Sequence, residues 1–297
     1  MAFPARKYEL THVTCDYCNS DEHEVVLRKR GAQFTDEFSI VRCRRCGFVF
    51  VNPRLSDQDI AALYDDEYYA GRGFDRTIAY DGADKDPDKR RDIVAMLTEA
   101  AGPLDGRRSL DVGCGNGLLV SELRRSGAQA YGLDSSASAI ALCRKRGVPV
   151  FPYELSDPRL DAERFDIITA IEVIEHVTSP TRFLDRLRGL LAPGGVLFIG
   201  TGSWELVRRQ PGTPYLMPEG HICYFTPRTL AKFFSKAGFA VDWRTLNRTW
   251  IGWRLMPGAA GSRLRQTTVR LTAAATHALM PSVGPFPLAR LPRGPSH

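Results

Sequence analysis

The chain has 297 residues, 43% of them apolar, enough to bury one full α/β core and a smaller module. It contains no apolar run of about eighteen residues, which excludes a membrane-spanning helix, and its opening MAFPARKYEL is too polar for a secretory signal, so a cytoplasmic address is expected. The formal charge of +6 belongs to one end: Trp243 to His297 holds eight arginines and no acidic residue, against 32 basic and 34 acidic side chains in the rest. Such an end can meet nucleic acid, an anionic membrane or an acidic partner, or form a solvated surface.

The first feature in chain order is a quartet of cysteines. Cys15-Asp-Tyr-Cys18 and Cys43-Arg-Arg-Cys46 are two C-x-x-C pairs. Each such turn presents two thiolates to one ion, and two turns complete a tetrahedron. Asn19 follows the first pair and Gly47 the second, the residue types that best accept a left-handed backbone. Between the pairs, EVVLRKR and EFSIVRC alternate as the strands of a hairpin. The expectation is a small zinc ribbon with Cys15, Cys18, Cys43 and Cys46 as ligands of structural Zn2+, four cysteines leaving no open position for catalysis. Disulfides would conflict with a cytosolic address, and a redox site needs only one pair, at a helix start. Cys114, Cys143 and Cys223 lie at non-ligand spacing and read as small buried residues.

Asn52-Pro53 ends the next strand, and Ser56 with Asp59 starts a helix that closes near Tyr64. In the polar loop DDEYYAGRGFD and just before it, Tyr64, Tyr68 and Tyr69 either pack or wall a substrate. A helix is expected over Asp92–Ala100. Strands over 108–113, 129–134, 148–152, 165–171 and 195–201 then alternate with helices over 118–126, 136–146 and 180–191. Alternation of this kind indicates a parallel sheet covered on both faces. RTLAKFFSKAGF adds a helix closed by Gly238, AVDWRTL and WIGWRL are the last strands, an antiparallel pair at the sheet edge, and PSVGPFPLARLPRGPSH reads as an extended or disordered end.

SLDVGCGNGLL, Ser109 to Leu119, reads as strand, glycine turn and helix start, the geometry that brings bare backbone to a ligand. The G-x-G-x-G spacing of Gly113, Gly115 and Gly117 matches neither the dinucleotide pattern nor a phosphate loop ending in G-K-[ST]. Asp111 would repel a pyrophosphate, so the loop favours a cationic ligand without phosphates. S-adenosylmethionine fits, with its ammonium, sulfonium, ribose and adenine. Ligands of open α/β sheets sit beyond the carboxyl ends of the strands. There Asp134, followed by Ser135, offers a carboxylate for both ribose hydroxyls or an N-cap for the helix near Ser136. Glu154 offers an acceptor for the adenine amino group, with Asp157 competing. Glu172 follows the fourth strand, and His176 falls one helical turn later, lining a substrate cavity, bonding Glu172 or capping the turn.

Taken together, LDVGCGNG, GLDSS, FDIITAIEVIEHV and LLAPGGVLFIGT resemble, in order and spacing over residues 107–245, the motif series of class I S-adenosylmethionine-dependent methyltransferases. GHICYFTPRTLAKFFSKAGF is similar to the small-molecule O- and C-methyltransferases that include ubiquinone-biosynthesis-type enzymes. The segment from CDYC through CRRCGFVFVNPRLS to LYDDEYY resembles the zinc-containing N-terminal module of bacterial methyltransferases from sugar, surface-glycan and natural-product pathways. The resemblance implies an α/β fold, a Rossmann-like, doubly wound, mostly parallel seven-stranded sheet beside a small zinc ribbon. It also implies S-adenosylmethionine as cofactor and a small-molecule substrate, methylated at a hydroxyl or carbon. Cofactor contacts are expected from Asp111, Gly113, Cys114, Gly115, Gly117, Asp134, Ser135, Glu154 and Glu172.

In sugar C-methyltransferases of that group a Glu-His pair on the corresponding strand helps catalysis. Here Glu219-Gly220-His221 has one residue between, which leaves His221 as the first candidate base, His176 as the second, and Tyr224 beside them. The expected organisation is a ribbon over 1–55, a helical linker and substrate lid over 56–105, the cofactor-binding domain over 106–255 and a basic helix and tail over 256–297. In that last part Leu264, Leu271, Ala275 and Leu279 share a helical face flanked by arginines. The face suits packing on the body or a second copy, or peripheral contact with an anionic membrane, and a monomer or homodimer is expected. The competing reading is an RNA or protein methyltransferase that docks through the ribbon and the arginine-rich end. AIEVIEH stands where enzymes acting on base amino groups often carry [N/D]-P-P-[Y/F], which argues against such targets.

Overall fold

Alternating apolar positions build the N-terminal module of this computed structural model, which describes residues 8–31, 34, 37–64, 68, 87–210, 212–213, 215–244 and 286–290, with 241–244 and 286–290 as backbone only. The chain runs through β1 (Leu10–Thr11), β2 (His23–Arg30), β3 (Glu37–Cys43), β4 (Val49–Val51) and β5 (Arg54–Leu55). β2 and β3 form the expected hairpin, β3 burying Phe38, Ile40 and Val41, and β4 extends it. α1 (Asp57–Ala62) starts at Ser56, whose hydroxyl accepts from the Asp59 amide at 3.1 Å. α2 (Pro87–Ala101) begins earlier than the expected Asp92, with Pro87 pre-set for a first turn.

The body alternates as expected: β6 (Arg108–Val112), α3 (Leu118–Arg125), β7 (Gln129–Leu133), α4 (Ala137–Lys145), β8 (Val150–Phe151), β9 (Phe165–Ile171), α5 (Pro180–Leu190) and β10 (Leu191–Gly200). After these come α6 (Trp204–Val207), β11 (Cys223–Tyr224), α7 (Pro227–Lys236), β12 (Ala240–Arg244) and β13 (Phe286–Arg290). The main sheet has seven strands in the order β12-β13-β10-β9-β6-β7-β8, of which β10, β9, β6, β7 and β8 are mutually parallel. β13 is antiparallel to both neighbours, β10 and β12. Strand order reverses between β6 and β9, and at such a switch point the carboxyl ends open a crevice.

The structure differs from expectation at three strands. The third parallel strand shrinks to Val150–Phe151, and β10 starts at Leu191, with a register shift before Val196 where Pro193-Gly194-Gly195 interrupts the ladder. The partner of β12 is not WIGWRL but Phe286–Arg290, from the stretch expected to be an extended or disordered end. Its prolines disguise a strand, yet an edge as apolar as Val196-Leu197-Phe198-Ile199 in β10 has backbone groups to pair. WIGWRL, Tyr69 and the arginine-flanked helix over 262–280 lie outside the described residues.

Two apolar clusters sandwich the sheet. One joins Phe48 and Val51 of the ribbon to Leu184 of α5 and Phe233 of α7, and the other packs α2 and α3 through Ile93, Leu97, Val120 and Leu123. The ribbon is thus continuous with one face of the body. Its four-stranded sheet, β11-β4-β3-β2, takes its last strand from the body itself. Among the described residues no helix is long and apolar enough to cross a membrane.

Candidate active site and metal centre

The four ribbon cysteines converge. Their sulfurs lie within 4.8 Å of one another, with Cys15 3.4 Å from Cys46 and Cys18 3.5 Å from Cys43. The turns work as expected: Asn19 and Gly47 are left-handed, with φ of 57° and 81°, and their amides bond the carbonyls of Cys15 and Cys43. Amides of Cys18 and Tyr17 also reach the Cys15 sulfur, and those of Cys46 and Arg45 the Cys43 sulfur, which favours thiolates. Burial opposes this, pushing the Cys15 thiol up and Cys46 to about 11. Four sulfurs with amide donors but a costly charge are a donor set that a dication completes. They fit structural zinc.

At the end of β6 the chain turns through Gly113, Gly115 and Gly117 with φ of 68°, 52° and 72°. A Cβ on Gly113 would stand 2.6 Å from Val173 and one on Gly117 2.9 Å from the Cys143 sulfur, so both the backbone angle and the space call for glycine. Cys114 and Cys143 are buried 3.8 Å apart beneath the loop. Asp111 and Asp134 flank it, both buried. Thr169 donates to Asp111 at 2.6 Å, while Asp134 accepts from the amides of Gly115 and Ser136, each at 3.0 Å. Asp134 therefore latches the glycine loop as well as the turn into α4, whose actual N-cap is Ser136. Burial raises both carboxyls, Asp111 to about 7 with help from the charge of Asp134. Among the described residues neither is ion-paired. Two buried acids lining a cradle with no cation of their own fit a ligand that brings positive charge and hydroxyls.

The end of β9 carries the second half of the crevice. Glu172 is left-handed, with φ of 58°, and its amide bonds the Gly200 carbonyl at 2.7 Å. A non-glycine residue in that region is uncommon and turns the chain sharply into Glu175 and His176. Glu175 is fully buried; burial, then the charge of Glu172, push it up to about 8. Tyr215 donates to its Oε1 at 3.0 Å, while Oε2 has no hydrogen-bond partner. Burial and the neighbouring charge thus favour the neutral acid over the carboxylate at Glu175.

His176 and His221 meet here, ring centroids 4.5 Å apart. His221 Nδ1 lies 2.7 Å from the Tyr215 carbonyl, and His176 Nδ1 lies 3.0 Å from the Gly220 carbonyl and 2.5 Å from the Tyr64 hydroxyl. A carbonyl only accepts, so each Nδ1 carries hydrogen and each neutral ring has its lone pair on Nε2. One ligand-capable atom from each of Glu175, His176 and His221 falls within 4.8 Å of the others.

Sequence reasoning missed Tyr215 and Glu175. Tyr215 is the hub: besides Glu175 and His221, its hydroxyl accepts from the Gly202 amide at 2.9 Å and sits 2.9 Å from Thr201. Both are polar residues in apolar company, and only their fixed burial marks them; the Glu-x-x-Glu-His run was visible, its depth was not. Tyr224 lies in β11 rather than at the histidine pair, buried against Trp204 with its hydroxyl unpartnered. Glu219 is buried and acts electrostatically on Lys29 and Tyr224. Glu154 and Ser135 are exposed near the ends of β8 and β7. Asp157, the competitor of Glu154, is engaged locally by Arg159 at 2.7 and 2.9 Å.

A family model described as "Methyltransferase domain" matches residues 84–242. The ubiquinone biosynthesis O-methyltransferase of Bradyrhizobium sp. (strain ORS 278) is 45% identical over 106 residues, 33% of this chain and 41% of the relative. The protein of that name from Aeromonas salmonicida (strain A449) is 32% identical over 171 residues, 49% of this chain and 68% of the relative. This chain thus spans about two fifths of the length of the Bradyrhizobium relative. A solved structure, Burkholderia thailandensis 1,6-didemethyltoxoflavin-N1-methyltransferase with bound 1,6-didemethyltoxoflavin and S-adenosylhomocysteine, shares the fold with a TM-score of 0.52 at 18% identity, over 84% of this chain and 97% of that one. The glycine loop, both flanking acids and the switch-point crevice all lie inside the matched span, and the chain belongs to the class I S-adenosylmethionine-dependent methyltransferase family.

Proposed function

We propose that the protein transfers a methyl group from S-adenosylmethionine to a hydroxyl of a small molecule. The pairing of an acid-lined glycine loop with two histidines at the neighbouring strand end carries this reading. Asp111 and the loop at Gly113 would hold the cationic amino-acid part, and Asp134 the ribose, since a carboxylate with about four acceptor sites keeps some after binding two amides. Glu154 and Ser135 would reach the adenine side, and Glu172 the methionine side. When bound, the cofactor supplies a methyl group already activated by the sulfonium.

The chain then has to align an acceptor oxygen, exclude water and remove a proton. His221 is the base we assign: its Nδ1 is tied to the Tyr215 carbonyl, which aims the Nε2 lone pair. His176 stands beside it, held by the hydroxyl of Tyr64 from the end of α1. Glu175, buried beside the pair and bonded by Tyr215, would hold the wall behind the two histidines. The names of the relatives support a hydroxyl as acceptor, and the ribbon resemblance supports sugars, glycans or natural-product intermediates as its carrier.

Labelled methyl donor, offered with panels of nucleotide sugars, phenolic intermediates and total RNA, tests the substrate class. His221→Ala should lower turnover about 10²- to 10⁴-fold, the usual worth of a positioned base, while S-adenosylhomocysteine affinity in calorimetry holds. Near-normal turnover in that variant would remove His221 from the role.

A further inference from the structure

Two hydrogen-bonded connections link the zinc ribbon to the segments that carry the histidine pair, and one of them starts from a residue between its ligands. Asp16 lies between Cys15 and Cys18. Its carboxylate accepts from the Ser179 hydroxyl at 2.6 Å and from the Thr181 amide at 2.8 Å, and its carbonyl from the Thr181 hydroxyl at 3.2 Å. Ser179 is the N-cap of α5, its hydroxyl taking the Arg182 amide, and Pro180 has no amide to satisfy. The first-turn amides of α5 are thus divided between the helix's own cap and a carboxylate from the ribbon. The chain enters α5 directly from Glu175 and His176.

The other connection runs through the strand that follows His221. Cys223 and Tyr224 pair with Phe50 and Val49 of the ribbon, and the Val51 amide bonds the Ile222 carbonyl at 2.9 Å. The amides of Ile222 and Cys223 both bond the Glu175 carbonyl, at 2.9 and 3.0 Å. From α7, Lys232 and Lys236 close on the same knuckles, donating to the carbonyls of Cys46 and Tyr17 at 2.7 and 2.8 Å. The segment 175–179 is therefore held between β11, itself a ribbon strand, and Asp16 at the α5 cap.

We infer that Asp16 is a positioning residue: the metal-bound knuckle uses it to fix the α5 cap, and through the cap the placement of His176 against His221. A carboxylate needed only for ribbon stability would face the ribbon; this one spends both oxygens on the body. The inference rests on the functional reading only for its consequence in catalysis, and its test does not use turnover.

The test uses the zinc-loaded full chain with Asp16→Ala, which removes both carboxylate acceptors and leaves the Thr181 amide without its partner. Zinc content by elemental analysis and S-adenosylhomocysteine affinity should match the parent. In a proton–nitrogen correlation spectrum the side-chain signals of His176, assigned with His176→Gln, should be displaced while those of His12 and His23 stay. Thr181→Val, which removes only the hydroxyl contact to the Asp16 carbonyl and leaves the Ser179 cap intact, should displace the same signals less, and it decides the matter alone if Asp16→Ala does not fold. Signals of His176 that stay in place with zinc and cofactor binding intact overturn the inference. So does a displacement shared by every histidine, which marks general loosening. Unimpaired turnover in His221→Ala would remove the functional reading and leave this spectral test standing.

Discussion

Asp111 accepts the Thr169 hydroxyl in a buried setting that lifts its pKa from 3.8 to about 7. An unfolded chain ionises this group at the ordinary value. In the cofactor-free protein its ionisation therefore weighs against folding increasingly as pH rises from 3.8, and in full above about 7. A cationic ligand reverses the balance, because it favours the charged carboxylate. Cofactor affinity should accordingly fall as pH drops below 7, and calorimetry in two buffers of different ionisation enthalpy should show proton release on binding in that range. Asp111→Asn should abolish the release and weaken binding about 10- to 100-fold, the worth of a hydrogen bond to a charged group. Tyr215 makes a second case at this scale. Tyr215→Phe leaves Glu175 Oε1 buried without its donor, which should cost about 1–3 kcal/mol in thermal or denaturant unfolding. Its backbone carbonyl still orients His221, so turnover should suffer less than in His221→Ala.

The elements differ in how plainly the sequence announces them. β6, β7 and β9 are buried strands of a parallel sheet, so SLDV, AYGL and FDIITAI show as apolar runs bounded by turn residues, and they were legible. The glycine loop was legible for the same reason that it is fragile. Gly113→Ala meets a left-handed backbone, worth about 1–2 kcal/mol for a residue with a Cβ, and a methyl 2.6 Å from Val173. Its stability and its cofactor binding should both fall, with the binding loss larger than that of a matched Ala substitution in an exposed turn such as Gly147. The stretch between α6 and β11 carries no periodicity, and so Tyr215 and the burial of Glu175 were not legible, although His221 at its end was. β13 escaped notice because Pro285 and Pro287 speak against a strand, while the need of β10 for a partner is visible only once the sheet is assembled. The ribbon was read from its cysteines; that its fourth strand comes from the body was not, since β11 has two residues.

Over the whole molecule, ribbon and body share one apolar cluster and one sheet. Stripping zinc with a chelator, or replacing Cys43 by Ser, should therefore lower the unfolding temperature of the entire chain in a single transition instead of melting a separate module. Two resolved transitions in calorimetry would count against that coupling. The seventh-strand hairpin bears on the uneven charge. β12 ends at Arg244 opposite Phe286, where β13 begins, so the two ends of the span 245–285 are fixed at neighbouring points of one edge. Five of the chain's arginines and none of its acids fall within that span. It is an excursion that begins and ends at the same doorway, and it can be exchanged for a tight Asn-Gly turn without asking β12 or β13 to move. The shortened chain would drop from a formal charge of +6 to +1. If it still takes up cofactor but no longer sticks to RNA or to anionic vesicles, the electrostatic reach of the protein resides in a removable appendage and its chemistry in what remains.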